Sequence, residues 1–65
     1  MSQLEIRTIW HTAREQCEVV WGQFTGYHVR LWVEGRLILD ELMTDLESAL
    51  RRGWDLRVEW PRLVE

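Results

Sequence analysis

The spacing of apolar residues between positions 27 and 39 predicts a β-hairpin. Every second residue is apolar up to Val33, and the alternation resumes at Leu37 after a short polar interruption around Gly35. A two-residue loop would place Val33 opposite Arg36, whereas a three-residue loop keeps one face of the hairpin apolar. We therefore predict the longer loop, in which Gly35 supplies the positive φ of a tight reversal. The predicted cross-strand pairs are Val33 with Leu37 and Leu31 with Leu39.

Two further strands precede the hairpin in this interpretation. Residues 4–12 alternate in polarity and are rich in β-branched and aromatic side chains, but they also fit a helical stripe with a capping box that starts at Ser2. We favour the strand because β-branched residues are unfavourable in the first turn of a helix. The polar residues 12–15 then turn the chain into a second strand over residues 17–24.

A tight turn at Thr25 and Gly26 sets the two faces of the predicted sheet, because it pairs Phe24 with Tyr27. One face is then continuously apolar and consists of Val20, Gly22, Phe24, Tyr27, Val29 and Leu31. The other face carries Val19, Trp21, Arg30, Trp32 and Ile38. Tryptophan and arginine are enriched among the residues that dominate the energetics of protein interfaces. The first candidate binding site therefore consists of Trp21, Arg30 and Trp32.

A C-terminal helix is predicted from position 44 onwards. Thr44 and Glu47 have the spacing of a capping box, in which each side chain bonds the backbone N–H group of the other residue. The apolar arc of this helix consists of Leu46, Ala49, Leu50, Gly53, Trp54, Leu56 and Trp60. The alternative ends the helix at Gly53 and makes residues 54–60 a fifth strand. We prefer one helix that ends near Trp60, before the proline at the next position.

The predicted fold is therefore α+β, a small antiparallel β-meander of three to four strands with one C-terminal helix packed on one face. The 65 residues fit a single domain, residues 1–65. Its stability is limited, because a chain of this size buries only about 60% of its unfolded surface. One helix covers one side of a sheet, so the other side stays open unless the N-terminal segment or another protein covers it.

Composition narrows the functional classes. The net charge of -3 is opposite in sign to the basic surface that a general nucleic-acid binder needs. Cys17 is the only cysteine, which excludes an intramolecular disulfide. No apolar run approaches the roughly 20 residues that span a bilayer, and no signal-peptide pattern opens the sequence. We therefore expect a cytoplasmic protein with no direct nucleic-acid or membrane partner.

Catalytic and metal-binding patterns are missing from the sequence as well. Cys17, His11 and His28 lack the spacing of metal ligands, and neither Ser2 nor Ser48 lies in a nucleophile motif. The glycines are scattered rather than gathered into a phosphate-binding loop. We therefore predict no enzymatic activity, no catalytic residues, no metal and no cofactor. The expected function is protein binding, by a monomer or a homodimer.

A second candidate binding site is acidic. Residues 34–47 contain five carboxylates, with Arg36 as their counter-charge. The acidic residues are Glu34, Asp40, Glu41, Asp45 and Glu47. Near a helix N-terminus such residues are ordinarily dipole partners on a solvated surface. In the functional interpretation they form an acidic ridge, which resembles a phosphate backbone and binds an arginine-lined cleft of another protein.

A small acidic domain with carboxylates gathered at Asp40, Glu41, Asp45 and Glu47 resembles the phage-encoded anti-CRISPR proteins. The resemblance is one of size and charge across the whole chain. Several of those proteins act as DNA mimics against type I CRISPR surveillance complexes. The resemblance thus implies an inhibitor that blocks DNA binding by a CRISPR effector subunit, with the acidic ridge in place of phosphates.

Two other functions stay open. In the first, the chain is a small bacterial adaptor or homodimer joined through the face that bears Trp21, Arg30 and Trp32. In the second, that face reads a nucleic-acid sequence with Arg7, Arg30 and Trp32. The negative net charge disfavours the nucleic-acid reader.

Overall fold

The computed structural model describes the backbone of residues 5–63 and the side chains of residues 5–60. Four antiparallel strands follow one another in the sheet in chain order, and a helix packs on one face. The elements are β1 (Glu5–His11), β2 (Glu15–Gly22), β3 (Gly26–Val33), β4 (Arg36–Met43) and α1 (Leu46–Leu63). The predicted α+β meander with a C-terminal helix is confirmed, with four strands. The capping box proposed at Ser2 lies outside the described residues.

Both ambiguous segments adopt the structure that we preferred. The segment before the first turn is strand β1, and residues 54–60 continue helix α1 instead of forming a fifth strand. The N-cap of helix α1 lies one residue later than predicted, at Asp45 rather than Thr44. Its Oδ1 accepts a hydrogen bond of 2.7 Å from the backbone N–H of Ser48. No helix in the described part of the chain is long and apolar enough to cross a membrane.

Helix α1 also ends later than predicted, at Leu63 rather than near Trp60. Pro61 lacks a backbone N–H, but in the last turn this removes only one intrahelical hydrogen bond, so the helix continues through it. The prediction that Trp54 belongs to the apolar arc of α1 is wrong, because its side chain is 49% exposed. The guanidinium of Arg57 lies 5.8 Å from the centre of the Trp54 ring and shields part of it.

The core lies between α1 and one face of the sheet. Its buried members are Trp10, Cys17, Val19, Val29, Leu31, Ala49 and Leu56. Helix α1 contacts strand β1 at Gly53, whose carbonyl accepts a 2.7 Å hydrogen bond from Nε1 of Trp10. A Cβ atom at this position would overlap Cδ1 of Ile9. Gly53 is therefore a contact point between helix and sheet, and not the end of the helix.

The register between β2 and β3 differs by three residues from our prediction. The turn occupies residues 23–25, so that Trp21 pairs with Tyr27 and Val19 pairs with Val29. Gly26 uses its positive φ of 75° at the start of β3, and Phe24 is exposed in the turn instead of pairing with Tyr27. Because a shift by an odd number of residues moves every side chain to the other face, Val19 and Trp21 face the helix.

The turn between β3 and β4 is shorter than predicted. Glu34 and Gly35 both have positive φ, 52° and 80°, as in the two-residue turns that suit antiparallel strands. Val33 therefore pairs with Arg36, and the predicted Val33–Leu37 pair is wrong. A bulge at Ile38 then adds one residue to β4, which restores the predicted pairing of Leu31 with Leu39.

A second bulge changes the phase of β1. Thr8 pairs with Glu18 and Trp10 pairs with Cys17, which leaves Ile9 as the extra residue. Ile9 and Trp10 both pack against the core, whereas Thr8 lies on the opposite face of the sheet. The simple alternation predicted for this strand is therefore interrupted in its middle.

Candidate functional site

The face of the sheet opposite α1 has no covering element among the described residues, and we call it the open face. Cross-strand pairing arranges its side chains in three rows. The first row is Ile6, Val20, His28 and Leu42; the second is Thr8, Glu18, Arg30 and Asp40; the third is His11, Gln16, Trp32 and Leu37. The open face is the candidate functional site.

Large apolar side chains are exposed on the two outer strands of this face. Ile6 and Leu42 are 60% and 67% exposed at one end of the sheet, and Leu37 is 44% exposed at the other. Monomeric proteins rarely leave such groups together on one surface unless a partner covers them. Sequence reasoning missed Leu37 because the bulge at Ile38 moves it to the open face, whereas the predicted pairing of Leu31 with Leu39 already places Leu42 opposite His28.

The centre of the open face is a hydrogen-bonded polar cluster around Asp40. Its two carboxylate oxygens lie 2.9 Å from Nδ1 of His28 and 3.1 Å from Nε of Arg30. Nε2 of His28 lies 2.8 Å from the carbonyl oxygen of Thr25. Burial alone would raise the pKa of Asp40, but the hydrogen bond from His28 and the charge of Arg30 hold that pKa below its usual value. These side chains are therefore fixed in place before any partner arrives.

Glu18 is the most deeply buried charged residue on the open face. It is only 7% exposed, and its carboxylate accepts a 3.1 Å hydrogen bond from the amide of Gln16. None of the ion pairs in the described part of the chain involves Glu18. Its neighbour Trp32 has a buried indole N–H that finds no acceptor among the same residues. Both groups thus retain unused hydrogen-bonding capacity.

The first predicted site is only partly assembled. Arg30 and Trp32 lie together on the open face, but Trp21 lies on the helix side of the sheet. There its ring packs against Tyr27 at a centroid distance of 6.1 Å, and the guanidinium of Arg7 lies 5.9 Å from it. The placement of Trp21 beside Arg30 and Trp32 is therefore wrong, because the prediction used a β2–β3 register shifted by three residues. Arg7 is likewise separated from Arg30 and Trp32 by the sheet.

The acidic residues of the second predicted site do not share one surface. Asp40 and Glu41 are adjacent in β4, so their side chains point to opposite faces of the sheet. Glu34 lies in the turn after β3, while Asp45 and Glu47 lie at the start of α1. The structure therefore distributes the acidic ridge over the β3–β4 turn, both faces of β4 and the start of α1.

Most of these carboxylates have a partner within the chain. Glu34 lies 2.8 Å from Arg14, and Glu47 lies 3.4 Å from Arg51. Glu41 accepts two hydrogen bonds from Arg52, of 2.8 and 3.1 Å, which ties α1 to β4. The hydrogen bonds from Arg52 lower the pKa of Glu41 despite its partial burial.

The capping carboxylate behaves in the same way, since the hydrogen bonds from Ser48 lower the pKa of Asp45.

The residues considered for nucleophilic or metal chemistry are also separated. Cys17 is buried in the core with its Sγ 3.9 Å from the carbonyl oxygen of Gly53, whereas His28 lies on the open face. Burial, together with the charge of Glu18, raises the pKa of Cys17 to about 11, so the thiol stays protonated at neutral pH. Within the described residues, no group of three or more His, Cys, Asp or Glu side chains is arranged to hold a metal ion.

The open face thus combines exposed apolar groups, a preformed polar cluster and a buried carboxylate that has no ion pair with any described residue. Arg30 and Trp32 are the residues of the sequence-based site that it retains. Comparison of the chain with protein-family models, curated proteins and solved structures found no match.

Proposed function

We propose that this chain is a non-catalytic protein-binding domain that uses the open face of its sheet. The observation that carries the proposal is the exposure of Ile6, Leu37 and Leu42 on the outer strands of that face. Burial of such side chains against a partner releases apolar surface from water, which is the main driving force for protein association. The sheet and α1 form two layers, and a partner on the open face would add a third.

The polar centre of the open face supports the same function. Interfaces typically combine buried apolar anchors with a few fixed polar groups that set the orientation of the partner. Arg30 and His28 are held by Asp40, so little side-chain entropy is lost when a partner binds them. The apolar ends then supply affinity, and the polar centre supplies specificity.

Two matched substitutions test this proposal. Leu42 on the open face and Val58 on the outer side of α1 are exposed to a similar extent, 67% and 62%. We expect Leu42→Glu to abolish self-association measured by sedimentation, or co-purification of a protein partner from source cells, because it places a charge in the interface. Val58→Glu should leave the same association unchanged. Loss of association with Val58→Glu alone, or with neither variant, would contradict the proposal.

An inhibitor of a DNA-binding protein, of the kind suggested by the resemblance to anti-CRISPR proteins, is the second candidate function. The observation in its favour is that Glu34 and Glu47 are exposed, with side chains 62% and 84% accessible. Their ion pairs with Arg14 and Arg51 are weak at such exposed positions, so arginines of a target protein can replace these partners. This mechanism needs a binding surface that includes the turn after β3 or the start of α1.

Charge reversal distinguishes the inhibitor from the open-face binder. We expect Glu34→Lys combined with Glu47→Lys to relieve inhibition of DNA binding by a type I CRISPR surveillance complex in a gel-shift assay. Inhibition by the unmodified chain should also weaken as salt rises, because exposed charges are screened. Leu42→Glu is the control and should inhibit normally in this mechanism. Inhibition that is absent, or insensitive to both salt and charge reversal, would eliminate this candidate.

A further inference from the structure

A cavity of about 310 Å³ opens on one end of the open face, between the β1–β2 turn and Trp32. The turn contributes Thr12 and Arg14, and the adjoining strand β2 contributes Glu15 and Glu18. A volume of this size lies at the lower end of the roughly 300–1,000 Å³ typical of ligand pockets, so it suits a single side chain or a small group.

The charges around this cavity favour a cation. Glu15 and Glu18 both line it, while its one arginine, Arg14, is already paired with Glu34 at 2.8 Å. Glu18 is 7% exposed and has no ion pair within the described part of the chain. A buried carboxylate is costly without a counter-charge, and a cation entering the cavity would supply one.

The aromatic wall narrows the choice of cation. Trp32 lines the same cavity as Glu18. A planar guanidinium can stack on an indole ring and at the same time donate hydrogen bonds to a carboxylate. A lysine ammonium is more strongly hydrated and makes no such planar contact. The chemistry of the two walls therefore fits arginine better than lysine.

We propose that this cavity binds an arginine side chain of a partner protein, with the guanidinium bonded to Glu18 and stacked on Trp32. The inference rests on the proposed function, because the cavity is part of the open face through which the partner is bound. It identifies the chemistry of that partner: a protein that presents an arginine beside an apolar surface. Glu18 supplies the charge that selects the arginine, and the exposed leucines and isoleucine supply the adjoining contact.

A small probe tests the cavity without knowledge of the partner. We would titrate the isotope-labelled protein with N-acetyl-arginine methylamide and follow the five tryptophan indole N–H signals by NMR. We expect saturable shifts of the Trp32 indole signal, assigned through Trp32→Phe, and of the side-chain amide of Gln16. The lysine analogue should bind more weakly, and the uncharged citrulline analogue should cause no saturable shift.

Matched variants separate the cavity from general charge attraction. Glu18→Gln keeps the shape of the side chain and should weaken binding of the arginine probe by roughly tenfold or more, since a charge-assisted hydrogen bond is lost. Asp55→Asn removes an exposed carboxylate on α1 and should have no effect. Trp32→Phe removes the indole and should also weaken binding, which provides a second test if Glu18→Gln fails to fold.

The outcomes of this titration and of the Leu42→Glu experiment are independent. An absent arginine response, an equal response to citrulline, or unchanged binding in folded Glu18→Gln would overturn the cavity assignment, even if Leu42→Glu abolishes partner binding. A selective arginine response with no effect of Leu42→Glu would instead retain the cavity and refute the wider interface.

Discussion

Gly53 is the residue at which helix α1 comes closest to the sheet. Its backbone carbonyl accepts a hydrogen bond from the indole N–H of Trp10 and lies beside the thiol of Cys17. The absence of a side chain allows this approach, because a Cβ atom would overlap Ile9. In an exposed helix the same glycine would cost about 1 kcal/mol relative to alanine. Here the contact with β1 outweighs that propensity.

This contact predicts a coupled pair of substitutions. Gly53→Ala should lower the free energy of unfolding by about 1 kcal/mol, since overpacking exceeds the gain in helix propensity. In an Ile9→Val background, which removes the overlapping Cδ1 atom, the same change should be neutral or stabilising. Urea unfolding of the single and double variants gives a coupling energy of about 1 kcal/mol or more. Additive effects would show that Ile9 simply moves aside.

The elements of this fold were predictable from periodicity, but the faces of the sheet were only partly so. Arg30 and Trp32 were placed on one face because the alternation within β3 is uninterrupted. Trp21 and Leu37 depend instead on how β3 pairs with its neighbours. The observed β2–β3 turn shifts the pairing of β2 by three residues, and the bulge in β4 shifts the pairing of Leu37 by one; either odd shift reverses a face.

Part of the missing information was present in the sequence. Glu34 followed by Gly35 is compatible with a two-residue turn. The prediction excludes this turn because the turn places Val33 opposite Arg36. A bulge after such a turn reconciles the turn with the apolar pattern, at the cost of one unpaired residue. The burial of Glu18, by contrast, depends on side chains from three strands and has no local sequence signal.

The link between α1 and β4 predicts a pH-dependent contribution to stability. Glu41 accepts two hydrogen bonds from Arg52, and its pKa in the folded chain is lowered from the usual 4.5. A lowered pKa stabilises the fold above the unfolded-state value, and the contribution disappears as pH falls through the folded-state value. Glu41→Gln should therefore cost up to about 1 kcal/mol at neutral pH, and this cost should shrink as the pH falls below 4.5 and through the lowered folded-state pKa of Glu41.

Urea unfolding of both proteins across this pH range measures the effect. Glu47→Gln provides the control, because the Glu47–Arg51 pair on the same helix is long, 3.4 Å, and exposed. Its unfolding free energy at neutral pH should match that of the unmodified chain within experimental error. A difference between Glu41→Gln and the unmodified chain that persists undiminished in acid would show that the ion pair is not its cause.

At the scale of the whole molecule, the described chain is one sheet with one helix and therefore has one buried side. The core is assembled between α1 and the helix side of the sheet, and Val20 is the buried apolar residue on the other side. A domain of this size is only marginally stable, and apolar side chains that stay exposed on the open face do not stabilise its fold. Binding of a partner explains their presence there better than folding does. The proposed partner would cover the open face of the sheet, as α1 covers the other face.

The two bulges have a consequence for how copies of this chain can meet. Ile9 and Ile38 lie in β1 and β4, which are the two border strands of the sheet. An irregular border interrupts the ladder of backbone amides and carbonyls that a further strand would need, and so discourages growth of the sheet from chain to chain. Fibre-like stacking along the strand margins is thereby disfavoured, and association is directed to layering, broad side against broad side.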